Sequence, residues 1–230
     1  MITLPEGLPA ELVPLSWLIG VWEGTGVLDY TVGDDHVQRE FGQRVSFESD
    51  GVPVLSYRSS TWLLDEQQTP LADEIGYWRL SRTLLPEDQG PGLLPGADVR
   101  PFSTAQSVEA LRTAAGGFDI EVQILHPDGI SELYLGQVKG PRIDLATDAV
   151  LRTAGAKEYS AATRLYGLVE SHLLWAWDIA AFGEELRTHA SARLARLDLS
   201  ATNAAENRVV GDSADDGAEG DTANTATDEA

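Results

Sequence analysis

Few residues in this 230-residue chain are of a type and spacing that could do chemistry. It has no cysteine, which excludes disulfides, thiolate metal sites and thiol nucleophiles. No Gly-x-Ser-x-Gly elbow is present, and the many carboxylates show no pairing that singles out a glycosidase dyad. Four histidines remain. His36, in the polar run Gly33-Asp34-Asp35-His36, and His126, just before Pro127, both read as exposed turn residues. His172 opens a strand after Glu170-Ser171. His189 follows the turn Phe182-Gly183-Glu184-Glu185 at the start of the last strand, where a side chain can point into a barrel end. No His-x-x-x-His pair and no local cluster of His with two carboxylates supports zinc. A lone imidazole is enough for haem iron, which needs a single protein ligand, but spacing alone favours a structural or surface role. The glycine cluster Gly20-Val21-Trp22-Glu23-Gly24-Thr25-Gly26 invites a phosphate-loop reading. That reading fails, because the continuation is strand-like and has no Gly-Lys-Ser/Thr. A glycine-rich first strand with one buried Trp suits the place where a barrel closes on a plug.

The elements that would position these residues are mostly strands. Glu11 to Gly20 reads as a short helix or turn delivering Trp17 and Leu18 to the core. Strand patterns then occupy Val21–Val27, Arg39–Glu48, Val54–Leu64, Asp73–Thr83, Val108–Thr113, Phe118–Leu125, Ile130–Val138, Arg142–Thr147, Tyr159–Val169, His172–Ala181 and His189–Leu199. Tight turns such as Asp50-Gly51, Pro127-Asp128-Gly129 and Lys139-Gly140-Pro141 join them. Many short strands with hairpin links predict an all-β antiparallel barrel or sandwich. Leu84 to Pro101, rich in Pro and Gly, reads as a long loop, either a lid over the barrel mouth or a mobile surface insertion.

Charge sets the partner classes. The chain carries 16 basic and 37 acidic side chains, a net charge of −21, which argues against nucleic acid. No apolar window suggests a membrane span or signal peptide, so the cytoplasm is the expected location. Between 201 and 230 eight acids face the single base Arg208, leaving −14 for the rest. With no aromatic residue there, 201–230 is expected to be a disordered acidic tail behind one domain spanning 1–200. The tail serves either as a solubilising appendix or as a partner-binding segment. Barrel edges near the termini would allow a homodimer, although no exposed apolar stripe argues for one.

Taken together the motifs resemble the nitrobindin family, fatty-acid-binding-protein-like haem β-barrels, from about Leu15 to Leu197. Its G-x-W-x-G-x-G signature stands here as Gly20, Trp22, Gly24 and Gly26. Pro70-Leu71 with Glu74-x-Gly76-Tyr77-x-Arg79, then His126-Pro127-Asp128-Gly129-Ile130-x-Glu132 and Ala156-Lys157-Glu158 support it. The last motif is Gly183-x-x-Leu186-x-x-His189-x-x-x-x-Leu194. The resemblance implies a ten-stranded up-and-down β-barrel of lipocalin type with a short N-terminal helical plug and haem b in its mouth. It implies His189 as the axial iron ligand and Arg164 as the basic residue on the haem, apt for a propionate. It also implies isomerisation of peroxynitrite to nitrate and binding of nitric oxide at ferric haem. Many relatives carry a distal histidine where this chain has Ala72, which would favour five-coordinate iron. A second reading keeps the barrel without haem, as a carrier of a fatty acid or other hydrophobic carboxylate gripped by Arg164.

Overall fold

The computed structural model describes residues 6–32, 35–97, 100–181, 183 and 185–198. The expected acidic tail, 201–230, lies outside the described residues. A 3₁₀ helix, Ala10–Leu18, precedes β1 (Gly20–Val32), β2 (Asp35–Ser49), β3 (Leu55–Leu63) and β4 (Pro70–Leu80). A one-turn helix α1 (Ala105–Glu109) follows, then β5 (Phe118–Leu125), β6 (Ile130–Lys139) and β7 (Arg142–Arg152). The chain continues with β8 (Tyr159–Val169), β9 (His172–Ala181) and β10 (Arg187–Arg196). Each strand pairs antiparallel with its sequence neighbours, and β1 pairs with β10, so the sheet closes into a ten-stranded barrel. The terminal strands, where edges were expected, pair with each other, while β4 meets β5 only over Ile75–Leu80 and β7 meets β8 only over Arg142–Ala146.

Period-2 alternation decides which side chains fill the barrel. In β5, Phe118, Ile120, Val122 and Ile124 point inward and the intervening residues face outward or lie between. The expected strand at Val108–Thr113 is not one. The side-chain oxygen of Thr104 accepts the Ser107 N–H at 3.1 Å while Ser107 Oγ accepts the Thr104 N–H at 3.1 Å, a reciprocal cap that starts α1. Only Val108 of this turn is buried, and α1 packs on the 3₁₀ helix.

The 3₁₀ helix plugs one barrel end with Leu12, Leu15, Trp17 and Leu18. Pro14 lies inside it and lacks the N–H an α-helical ladder would need. The glycine signature builds the seam beside this plug. Gly20 has φ +125°, a backbone that side chains other than hydrogen resist, and it opens β1 directly after the plug. A Cβ on Gly24 would lie 2.3 Å from the Arg193 carbonyl oxygen across the β1–β10 pair. A Cβ on Gly26 would strike the Phe41 ring and Ser191 backbone. Trp22, fully buried, donates its indole N–H to the Leu18 carbonyl at 2.7 Å. Arg196 lies 4.5 Å over the Trp22 ring and donates to the Trp17 carbonyl at 2.8 Å.

The 84–101 loop belongs to this same end. Arg82 is held between Glu11 of the plug, at 2.7 Å, and Asp88 of the loop, at 2.7 Å. The Leu85 N–H also donates to Asp88, and Arg100 reaches the Gly51 carbonyl. Leaving from the C-terminal end of β4, the described part of the loop braces the plugged end, opposite the open mouth.

Candidate functional site

The open end gathers the C-terminal ends of β1, β3, β5, β7 and β9 with the N-terminal ends of the other strands. His189 enters it through a fault in β10. Thr188 pairs with Asp178 and Ala190 with Trp177, so His189 is the extra residue of a β-bulge. Ala190, Ala192 and Leu194 point inward, and strict alternation would send residue 189 outward. The bulge breaks that phase and lets His189 line the interior beside Ala190. Its ring stacks on Tyr30 of β1 at 4.7 Å and meets the Trp177 indole of β9 edge-on at 5.6 Å. Burial pushes its imidazole below the usual histidine value, so it is neutral near pH 7 and offers a ring lone pair.

The cavity in front of His189 measures about 250 Å³. Leu28, Phe41, Val45 and Trp175 make its apolar side. Gln43 accepts from the Trp175 indole at 2.7 Å and donates to Ser59 at 2.9 Å, so this part of the wall is satisfied from within. Ala72 also lines the cavity and contributes only a methyl group, its backbone N–H and carbonyl both bonded to Thr61 Oγ1.

The inner wall is charged. Arg164 of β8 is 4 % exposed and lines the cavity. Its Nη1 and Nη2 grip the Glu74 carboxylate of β4 at 2.9 and 2.8 Å, Nη2 also reaches Glu132 of β6 at 3.3 Å, and Nε donates to the Tyr134 hydroxyl at 3.0 Å. The guanidinium lies 4.5 Å over the Trp177 ring. A bidentate grip on a propionate, as the resemblance implies for Arg164, would require parting Nη1 and Nη2 from Glu74. Glu74 further accepts the Tyr57 hydroxyl at 2.7 Å. Burial opposes its charge, yet Arg164 holds its carboxyl down at about 2. Glu132 accepts hydrogen bonds from Tyr134 and Tyr159.

His126 completes this group and overturns a sequence expectation. The residue sits in a turn, as read, but its side chain is only 10 % exposed and folds in to put Nε2 2.7 Å from Glu132 Oε2. The turn keeps the backbone at the rim while the side chain returns to its hairpin partner β6. His36 is exposed, as expected, and His172 bonds its own strand start through the Glu170 carbonyl. Spacing missed Tyr30, Glu74, Glu132 and Trp177 as site residues, since nothing local marks an aromatic or carboxylate whose partners lie on other strands. Gly20, Trp22, Gly24 and Gly26 lie at the β1–β10 seam and the plug, away from His189, where they shape the barrel.

The donor set fits a haem. It offers one neutral imidazole to which no described protein group hydrogen-bonds, aromatic faces on two sides of it, and an apolar cavity. Among the described residues no group of three or more His, Asp or Glu side chains could instead hold a bare metal ion.

A profile for the THAP4-like, heme-binding beta-barrel domain matches residues 11–196. The chain is 74 % identical over 198 residues to the peroxynitrite isomerase of Leifsonia xyli subsp. xyli, covering 86 % of this chain and all of that protein. It is 54 % identical over 203 residues to the peroxynitrite isomerase of Kocuria rhizophila, covering 87 % and 97 %. Among solved structures, that of Rv2717c from M. tuberculosis superposes with a TM-score of 0.59 at 25 % identity, covering 85 % of this chain and 100 % of that one.

Proposed function

The chain belongs to the THAP4-like heme-binding beta-barrel family, and from that premise we propose that it is a peroxynitrite isomerase whose haem is held in the barrel mouth through His189. The observation that carries the assignment is His189 itself, turned inward by a bulge, clamped between Tyr30 and Trp177 and left neutral by burial. With no cysteine in the chain, thioether attachment is impossible, which favours the non-covalent b-type cofactor. Bound ferric haem supplies the iron at which the oxygen atoms of peroxynitrite are rearranged into nitrate, and the same iron would take nitric oxide.

Substrate and product are isomeric monoanions, so the reaction balances without a net proton. What the protein must supply is orientation and a dry pocket. Tyr30 and Trp177 fix the plane of the His189 ring, which sets the direction of its lone pair. Leu28, Phe41, Val45 and Trp175 supply the apolar surface against which a haem would pack. Ala72 contributes only a methyl group to the cavity wall and would offer a bound haem no side-chain ligand. Arg164 borders the cofactor space from the inner wall, contributing charge and contact while it stays paired with Glu74. That pairing also weighs against a carrier of hydrophobic carboxylates, which would need a cation free to receive the carboxylate. A cysteine-free chain suits the cytoplasm, and we propose that 201–230 is an appendage to a self-sufficient barrel domain.

Titration of the purified chain with hemin tests the assignment. A sharp Soret band and faster conversion of peroxynitrite to nitrate are expected for the parent. His189→Ala is expected to lose both while keeping its β-sheet circular dichroism; a variant that binds and reacts like the parent would remove His189 from the iron.

A further inference from the structure

Behind Trp177, four buried side chains from four places in the sheet form a closed charge system. Glu74 of β4 and Glu132 of β6 supply two carboxylates, and Arg164 of β8 supplies one guanidinium. His126, at the end of β5, lies between the carboxylates: Nε2 is 2.7 Å from Glu132 Oε2 and Nδ1 is 3.8 Å from Glu74 Oε1. A neutral imidazole has one donor and one lone pair, so either tautomer would aim the lone pair at a carboxylate. Only the doubly protonated ring is attractive to both, hydrogen-bonded to Glu132 through Nε2 and facing Glu74 with Nδ1–H at ion-pair distance. It also brings two cations against two anions, which a buried group requires.

The His126 ring lies nearly parallel to the Trp177 indole, 9° apart at 6.3 Å, and Arg164 covers the same indole at 4.5 Å. Trp177 in turn meets His189 edge-on. We propose that His126 is a positioning residue of the haem pocket: as an imidazolium it neutralises Glu132, leaves Arg164 to Glu74, and thereby fixes the Trp177 wall against which the iron ligand rests. The haem part of this inference rests on the reading given above; the charge state of His126 does not.

The groups facing the ring are Glu132 and Tyr134 on β6, Glu74 on β4, Arg164 and Tyr159 on β8, and Tyr57 on β3 through Glu74. Burial pulls the imidazole down, but the hydrogen bond to Glu132 and the charges of Glu74 and Glu132 outweigh it, so the ring holds its proton above the usual histidine range. The phenols of Tyr134 and Tyr159 are pushed up by burial and stay neutral. The charge balance is therefore complete below the ordinary histidine value and is lost as pH rises through the raised His126 value. Past that point Arg164 is shared between two unbalanced carboxylates, and its contact with Trp177 loosens.

The test uses the full chain. Imidazole resonances of the apo protein, followed by NMR across pH, should show His126 titrating above the ordinary histidine value and above His189. Hemin affinity is then measured against pH for the parent, His126→Gln and the double variant His126→Gln with Glu132→Gln. The parent is expected to weaken as the His126 resonance titrates. His126→Gln should bind hemin about tenfold more weakly at neutral pH and lack that pH step. The double variant, which removes one charge of each sign, should recover most of the loss. A His126 that titrates at or below the ordinary histidine value overturns the proposal, as does a double variant weaker than the single one. If His126→Gln does not fold, the NMR titration and the double variant still decide. A parent that binds no hemin would overturn the haem reading instead, with the NMR titration still deciding the charge state of His126.

Discussion

Glu74 shows how much of the pocket depends on single atoms. It takes two hydrogen bonds from Arg164 and one from Tyr57, and its folded value of about 2 lies well below the ordinary 4.5. A depressed carboxylate contributes stability that is complete above its unfolded value and is lost as pH falls toward the folded one. Urea midpoints should therefore hold from pH 7 to near 5 and decline from there toward pH 2. Glu74→Gln should cost about 3–5 kcal/mol at pH 7, because it leaves a buried guanidinium short of its partner, and should flatten that acid limb. An unchanged limb would show that other carboxylates carry it. At the same scale, Gly24→Ala should cost roughly 1–3 kcal/mol in chemical denaturation, because its methyl would meet the Arg193 carbonyl oxygen at 2.3 Å.

At the scale of elements, the bulge in β10 decides whether His189 faces the cavity in which we propose that it holds haem. Deleting Thr188 removes the one-residue surplus and places His189 opposite Asp178, in the outward phase. The shortened protein should keep its β-sheet spectrum and lose the hemin Soret band; retained binding would mean that the bulge does not aim the ligand. The plug is a second element with one task. Leu15 is wholly buried at the closed end, so Leu15→Ala should cost about 2–5 kcal/mol and leave the hemin spectrum unchanged, since the plug and His189 occupy opposite ends. Most strand positions were legible from alternation and turn residues, as in Phe118–Leu125 and Tyr159–Val169. Val108–Thr113 was not. Its β-branched and apolar residues suit either state, and the Thr104–Ser107 cap together with a single buried contact on the plug chose the helical turn. His126 was misread because a turn sequence fixes where the backbone runs, not which way a long side chain folds.

At the scale of the whole molecule, closure between β1 and β10 leaves two unlike ends, one plugged and braced by the Glu11–Arg82–Asp88 bridge, the other open over His189. We expect truncation after Ser200 to leave thermal stability and hemin affinity within error of the parent, measured by calorimetry and by titration. Loss of either would make the acidic segment part of the working domain.

Short-range patterns are written along the chain, so the sequence by itself determined the β class, the turns, the buried Trp22 and the crowded glycine seam; its motifs pointed to a ten-stranded haem barrel with His189 on the iron. Only the tertiary structure decided that a bulge turns His189 inward. It alone showed that Arg164 is spent on a carboxylate 90 residues away, and that His126 is an inner side chain and not a surface one. The reason is physical. Alternation and turn chemistry act over a few residues, whereas burying a charge requires a partner, and that partner is chosen by which strands the closed barrel brings face to face.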